Sequence, residues 1–262
     1  MVVVSQDLLI KHLASSSSLS RAYRLVEEDR EIQELLKMSN IMAVTRLLYN
    51  DHGVTHARIV AGSALEILDI LLRSGVKPTT LLNRTTKSLE EVRLVVFLSS
   101  YLHDIGNSVH RHQHELHSYI LARPILDRIL PLLLEDSSRH YAVRQEILHA
   151  IYSHQNEVET LTIEAGVVKV ADGTDMAEGR ARVPYRLGKA DMHAVSALSI
   201  KKVELENGEE RPLRITVSLT DMAGLFQIEE VLLKKVQTSS IRDLVEIAVK
   251  RDAENPRLLY PS

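Results

Sequence analysis

The sequence predicts a mainly α protein with a small α+β unit at its C-terminal end. Up to about residue 177, apolar residues recur at helical spacing, as in Leu25, Ile32, Leu35 and Leu36. Beyond about residue 192 the period changes to two, first in Val203 and Leu205 and then in Ile215, Val217 and Leu219. Between those two runs sits Asn207-Gly208, a dipeptide suited to a tight hairpin turn.

Residues 5–20 end in the serine stretch 15–18, a turn or joint. An amphipathic helix follows over 21–38, and an apolar one over 41–49 is stopped by Asn50-Asp51-His52-Gly53. Thr55 is placed to cap the next helix, which runs to about residue 73 and ends at Gly75. Ile59, Leu65, Leu68 and Leu72 mark its core face, and His56 lies in its first turn. After a polar loop over 78–87, Ser88-Leu89-Glu90-Glu91 is a capping box. It opens an apolar helix that delivers His103-Asp104 and stops at Gly106-Asn107.

A histidine-rich segment over 110–117 leads into a helix to about residue 123, and Pro124 is expected to start another over 125–134. Ser137 and Ser138 begin the helix carrying Ile147, Ile151 and His154. Residues 160–177 form a last apolar stripe, which holds Asp172. The C-terminal unit is expected to contain strands over 197–205 and 213–219, then two amphipathic helices over 226–237 and 241–251. The division is thus a helical domain over 1–191 (core 50–190, N-terminal helices 1–49) and a small domain over 192–262. A lone hairpin is marginal in water, so its apolar face must pack on the helical core, on the two helices or on a second copy of the chain, and its open edge makes a homodimer the expectation.

Composition narrows the chemistry. The 262 residues are 45% hydrophobic, which suits a soluble chain with a sizeable core. A net charge of −3 gives no global basic field for nucleic acid. Cysteine is absent, so disulfides, zinc–thiolate sites and thiol catalysis are excluded. No apolar run nears the roughly 20 residues that span a bilayer, and Met1–Val4 runs straight into polar residues, so a cytoplasmic protein is expected.

Histidine and aspartate carry what remains. His103-Asp104 ends an apolar helix and offers imidazole and carboxylate to one ion. His56 precedes this pair and Asp172 follows it. Lys169, Arg180, Arg182 and Arg186 cluster around Asp172, where they either form a solvated face or bind phosphate. His110 belongs either to a solvated loop or to a substrate contact. Asp175 is read as a helix-end cap or as a substrate or water contact, and His52, His112, His117 and His149 as surface or supporting residues.

The ordered set His56, His103-Asp104 and Asp172 resembles the HD-domain metal-dependent phosphohydrolases. Within them it looks like the HD core of ribonuclease Y-like phosphodiesterases. That likeness rests on His103-Asp104-Ile105-Gly106, His114-Glu115-Leu116-His117-Ser118, and the run from Ile151 and His154 to Ala171-Asp172 and Arg180 to Arg182. It covers about residues 50–190 and implies an HD-type helical core. It also implies His56, His103, Asp104 and Asp172 as ligands of a first divalent metal. His114 and His154 are implied as ligands of a second, with Asp104 bridging. Mn, Fe, Ni, Co and Zn all suit such donors. Two departures stand out: the family's His-His pair is His154-Gln155, and its lysine after the glycine is Asn107.

The resemblance implies hydrolysis of a phosphoester in a nucleotide, cyclic nucleotide or oligonucleotide by metal-activated water. Asp104 and His103 would be central, and Arg180, Arg182, Lys169 and His110 would contact substrate. The alternatives are a nucleotidase or triphosphate hydrolase for a small molecule, and a non-catalytic HD module for ligand sensing or dimerisation.

Overall fold

The structure is a computed structural model that describes residues 1–177, 196–251 and 255–261. Local sequence sets the helix boundaries. Helix α1 (Gln6–Ser15) gives way to α2 (Ser17–Glu28) at Ser16, whose hydroxyl accepts from the Leu19 amide at 3.2 Å. Asp29 caps α3 (Arg30–Asn40) in the same way through Ile32, and α3 runs on as a π-helical turn, Ile41–Arg46. Helix α4 (Val54–Arg73) starts after Gly53 and is buried without a break from Val60 to Leu68. A helix apolar on nearly every side belongs in the middle, and α1, α6 and α9 pack around α4. The loop read over 78–87 contains a single helical turn, α5 (Thr79–Leu82).

Ser88 caps α6 (Leu89–Leu102), and the Glu91 carboxylate accepts from the Lys87 amide at 2.7 Å. The capping box therefore closes one residue earlier than its usual form. Helices α7 (His114–Leu133), α8 (Ser137–Ser153) and α9 (Ile163–Thr174) complete the helical core. Pro124 does not start a new helix. It lies inside α7 together with Pro131, and both prolines are exposed, where the loss of a helical hydrogen bond costs least.

The C-terminal unit differs from expectation in its second helix and in the number of its strands. Strands β2 (Ile200–Asn207) and β3 (Leu213–Leu219) form the hairpin, and Val203 faces Val217 while Leu205 faces Ile215. Helix α10 follows as three consecutive stretches, Gly224–Gln227, Ile228–Leu233 and Lys234–Gln237, the middle one π-helical. The second helix expected over 241–251 is instead a short 3-10 turn, Arg242–Leu244, and strand β4 (Val245–Arg251). Val245, Ile247 and Val249 alternate with period two, and parallel pairing with β3 buries both faces of most of the strand. An apolar run so short fits either period, and β-branched residues decide for the strand.

β5 (Arg257–Tyr260) pairs with β4, and β1 (Val2–Val3) pairs with β2, giving the sheet order β1-β2-β3-β4-β5. The chain's N-terminal strand thus lies in the C-terminal sheet. Both edges of the hairpin are covered within one chain, which removes the reason for expecting a homodimer to bury them. One contiguous apolar core joins Leu65 and Leu68 of α4 to Val203, Ile215 and Ile247 of the sheet. Among the described residues no helix is long and apolar enough to cross a membrane.

Candidate metal centre

Five helix ends meet at one point. His56 comes from the first turn of α4, His103 and Asp104 from the end of α6, and His114 from the start of α7. His154 follows α8, and Asp172 lies in the last turn of α9. All six side chains are buried, Asp172 the least so at 9% exposure. Gly106 makes the α6–α7 junction possible. A Cβ there would sit 2.1 Å from the His114 carbonyl oxygen and 2.3 Å from the Ser118 nitrogen. The glycine of His-Asp-Ile-Gly is therefore a close-approach residue that lets His114 reach Asp104.

The ring tautomers follow from their partners. Nδ1 of His103 points at the Ser100 carbonyl at 2.7 Å, and Nδ1 of His154 points at the Ile151 carbonyl. Nδ1 of His114 faces the Arg111 carbonyl at 3.2 Å, and Nδ1 of His56 faces Asp175 Oδ2 at 2.6 Å. Carbonyls and carboxylates only accept, so each Nδ1 carries a proton and Nε2 of each ring is the nitrogen turned inward, a metal ligand whenever it carries no proton.

Those nitrogens converge. His56 Nε2 lies 3.3 Å from His103 Nε2, 3.3 Å from Asp104 Oδ2 and 3.2 Å from Asp172 Oδ1. His103 Nε2 is 3.5 Å from Asp104 Oδ2 and 3.6 Å from Asp172 Oδ1. Donors that share an ion at about 2.1 Å lie about 3.0–3.4 Å from one another. On the other side of the same carboxylate, Asp104 Oδ1 is 3.2 Å from His114 Nε2 and 3.9 Å from His154 Nε2, and these two nitrogens are 3.3 Å apart. Converging lone pairs and carboxylate oxygens repel unless a cation lies among them, and nitrogen and oxygen donors of this kind fit a divalent transition metal. Asp104 faces both clusters, one with each oxygen.

The electrostatics agree. Burial alone would raise the Asp104 carboxyl, but His103, His52 and a hydrogen bond with His114 hold it well below the usual carboxylate range. Asp172 likewise stays ionised despite burial, held low by Lys235 and by hydrogen bonds with His103 and His56. Burial, with His103, His114 and Lys235 beside it, pushes His154 down to about 3, so that ring stays neutral and able to ligate.

The family model described as HD domain matches residues 53–177, a span that contains all six of these side chains. This chain contains an HD domain over residues 53–177. It is 44% identical to the uncharacterized protein MJ1020 of Methanocaldococcus jannaschii over 254 residues, which cover 97% of each chain, and the two belong to one family. No solved structure matches the chain.

Around the HD centre, the residues expected to contact substrate fall in different places. Lys169 is fully buried, and its ammonium donates to the Gln155 and Val158 carbonyls at 2.7 Å each. It braces the loop after α8 and has no face on the cavity, which corrects the role expected from its sequence position. Burial and the neighbouring Lys235 push its pKa down to about 7. His110 is exposed and is absent from the cavity lining, and its Nδ1 accepts from the His112 amide. His112 lines the cavity in its place. Arg180, Arg182 and Arg186 lie outside the described residues.

Other residues contribute to which sequence reading gave no place among the ligands or substrate contacts. His52 Nδ1 lies 2.6 Å from Asp104 Oδ2. Asn107, which stands where a lysine was expected, donates its amide to Asp104 Oδ1 at 2.9 Å and so orients the carboxylate. Glu115 lies 3.2 Å from His114 Nδ1, and hydrogen bonding with that ring holds Glu115 at about 2 against the effect of burial. Lys235 of α10 pairs with Asp172 Oδ2 at 2.8 Å. The repeated adjacency of polar residues to ligands, as in Asp104 to Asn107 and His114-Glu115, was the available signal for the nearer ones. Nothing in the sequence ties Lys235 to Asp172.

A cavity of about 630 Å³ opens onto this centre. Its walls are the turn from Tyr49 to His52, the start of α7, the loop from Gln155 to Glu157, and α10. Its described lining holds five carboxylates against Arg111 and Lys235 as fixed cations, so its field favours cations until metal is bound.

Proposed function

We propose that this HD-domain protein is a metal-dependent phosphohydrolase that cleaves a phosphoester of a nucleotide, cyclic nucleotide or oligonucleotide. The observation that carries this reading is the divided carboxylate of Asp104, with His56, His103 and Asp172 on one side and His114 and His154 on the other. His56, His103, Asp104 and Asp172 would hold the first ion, and His114 and His154 the second with Asp104 between them. Bound Mn, Fe, Ni, Co or Zn supplies an acidified water and neutralises phosphoryl charge. The protein's own residues fix the geometry: Asp175, Ser100 and Ile151 set the ring tautomers, and Asn107 and His52 hold the carboxylate. Arg180 and Arg182 are proposed phosphate contacts on the strength of the ribonuclease Y-like resemblance.

The cavity's volume lies within the range of small-molecule sites. This favours a nucleotide-sized substrate and gives weight to a second reading, a nucleotidase or triphosphate hydrolase. A panel of nucleoside mono- and triphosphates, cyclic nucleotides and short oligonucleotides, assayed with added manganese or nickel, separates the readings. Cleavage of diesters alone supports a phosphodiesterase, and cleavage of monoesters or triphosphates supports the second reading. Bound metal without turnover of any phosphoester contradicts both and leaves the ligand-sensing module.

A further inference from the structure

We propose that the C-terminal α+β unit supplies a phosphate-binding residue to the metal centre, Lys235 on α10; this rests on the phosphohydrolase reading above. Lys235 lies outside the matched HD domain, in the crossover between two parallel strands. Its side chain is only 11% exposed, yet it lines the cavity. The ammonium has three donors. One is directed at Asp172 Oδ2 at 2.8 Å, and one at the His154 carbonyl at 3.1 Å. Among the described residues the third has no acceptor and the cavity lies beside it.

The contact is built into the sequence on both sides. Asp172 is followed by Gly173, where a Cβ would stand 3.2 Å from Leu232 Cδ1 and 3.3 Å from Lys235 Cδ. The glycine admits α10 against the last turn of α9, and that approach places the ammonium beside a carboxylate whose other oxygen faces His56 and His103. Gln227, Glu230 and Val231 of the same helix also line the wall, so α10 forms one side of the cavity. Arg111 stands on another side, with Nη1 3.3 Å from His114 Nε2. A phosphoryl group between Arg111 and Lys235 would meet Lys235 at one end. Lysine suits that task as a mobile point charge, and a long side chain anchored at two acceptors loses little further freedom on binding a third.

Inorganic phosphate titrated into the metal-loaded full-length protein by calorimetry tests this, with metal content measured in parallel. Lys235→Met should keep its metal and weaken phosphate binding about tenfold or more, the effect of one charge-assisted hydrogen bond. Lys235→Arg should restore most of the affinity. Equal phosphate affinity in wild type and Lys235→Met overturns the proposal. Loss of metal from Lys235→Met also overturns it, because the residue then acts only by positioning Asp172. A metal-loaded wild type that binds no phosphate counts against the phosphohydrolase reading itself.

Discussion

Asp175 Oδ2 lies 2.6 Å from Nδ1 of His56, across the ring from the nitrogen that meets His103 and Asp172. It fixes the tautomer of a buried ligand and raises its basicity. Removing the negative partner of a metal-binding histidine weakens metal affinity roughly 10–100-fold. Asp175→Asn should show a loss of that size in a competition titration with a chelator, with an unchanged helical circular dichroism spectrum. Unchanged affinity would mean that Asp175 is only a helix-end cap.

Gly106 has no room for a side chain, since a Cβ would lie 2.1 Å from the His114 carbonyl oxygen. Gly106→Ala must push the start of α7 away from α6. It should cost about 3 kcal/mol in denaturant unfolding, the scale of core overpacking, and it should lower metal content because His114 moves with the helix. A stability equal to wild type would contradict the close approach.

Metal binding should release protons. Burial disfavours charge on His114, but hydrogen bonds with Asp104 and Glu115 outweigh it and raise the pKa, so the metal-free ring takes up a proton more readily than a free histidine. An ion at His114 and His154 must displace that proton, so affinity there rises with pH. Calorimetric metal titrations in two buffers of different ionisation enthalpy should give different heats. Buffer-independent heats would contradict proton release from His114.

Away from the centre, Glu66 of α4 ties α1 to the core. A hydrogen bond with His12, opposed by burial and helped by Lys11, pushes Glu66 down to about 2. A lowered carboxylate stabilises the fold above its unfolded pKa, and that contribution is lost as pH falls from the ordinary glutamate range toward about 2. Glu66→Gln should therefore destabilise the protein at pH 7 by about 1–2 kcal/mol after solvent screening is allowed for. The difference should vanish near the acid end of that window, and a pH-independent difference would contradict the assignment.

The helical core was legible because its signals are local. Ser88 and Glu91 cap α6, and the long apolar run of α4 can only be central. His56, His103, Asp104 and Asp172 could be placed together through their order and a family likeness, since the contacts that join them span tens of residues. The strand over 245–251 reads as a helix in the sequence because an apolar run so short fits either period, and only its β-branched residues and its pairing with β3 decide for the strand. Pro124 misled because only the solvent exposure of its helix face tells a tolerated proline from a helix start. Lys169 and Lys235 look alike as basic residues near acidic ones. Tertiary packing alone buries the first under the α8–α9 loop and brings the second to Asp172.

The most direct test is elemental analysis of the protein purified without chelator, in wild type and in His103→Ala/Asp104→Ala. One or two equivalents of a transition metal per chain are expected in the wild type. The double variant, folded by circular dichroism, should have lost them. Wild type that takes up no metal even after manganese or nickel is supplied, or a folded double variant that keeps its full complement, would contradict the metal centre on which the account rests.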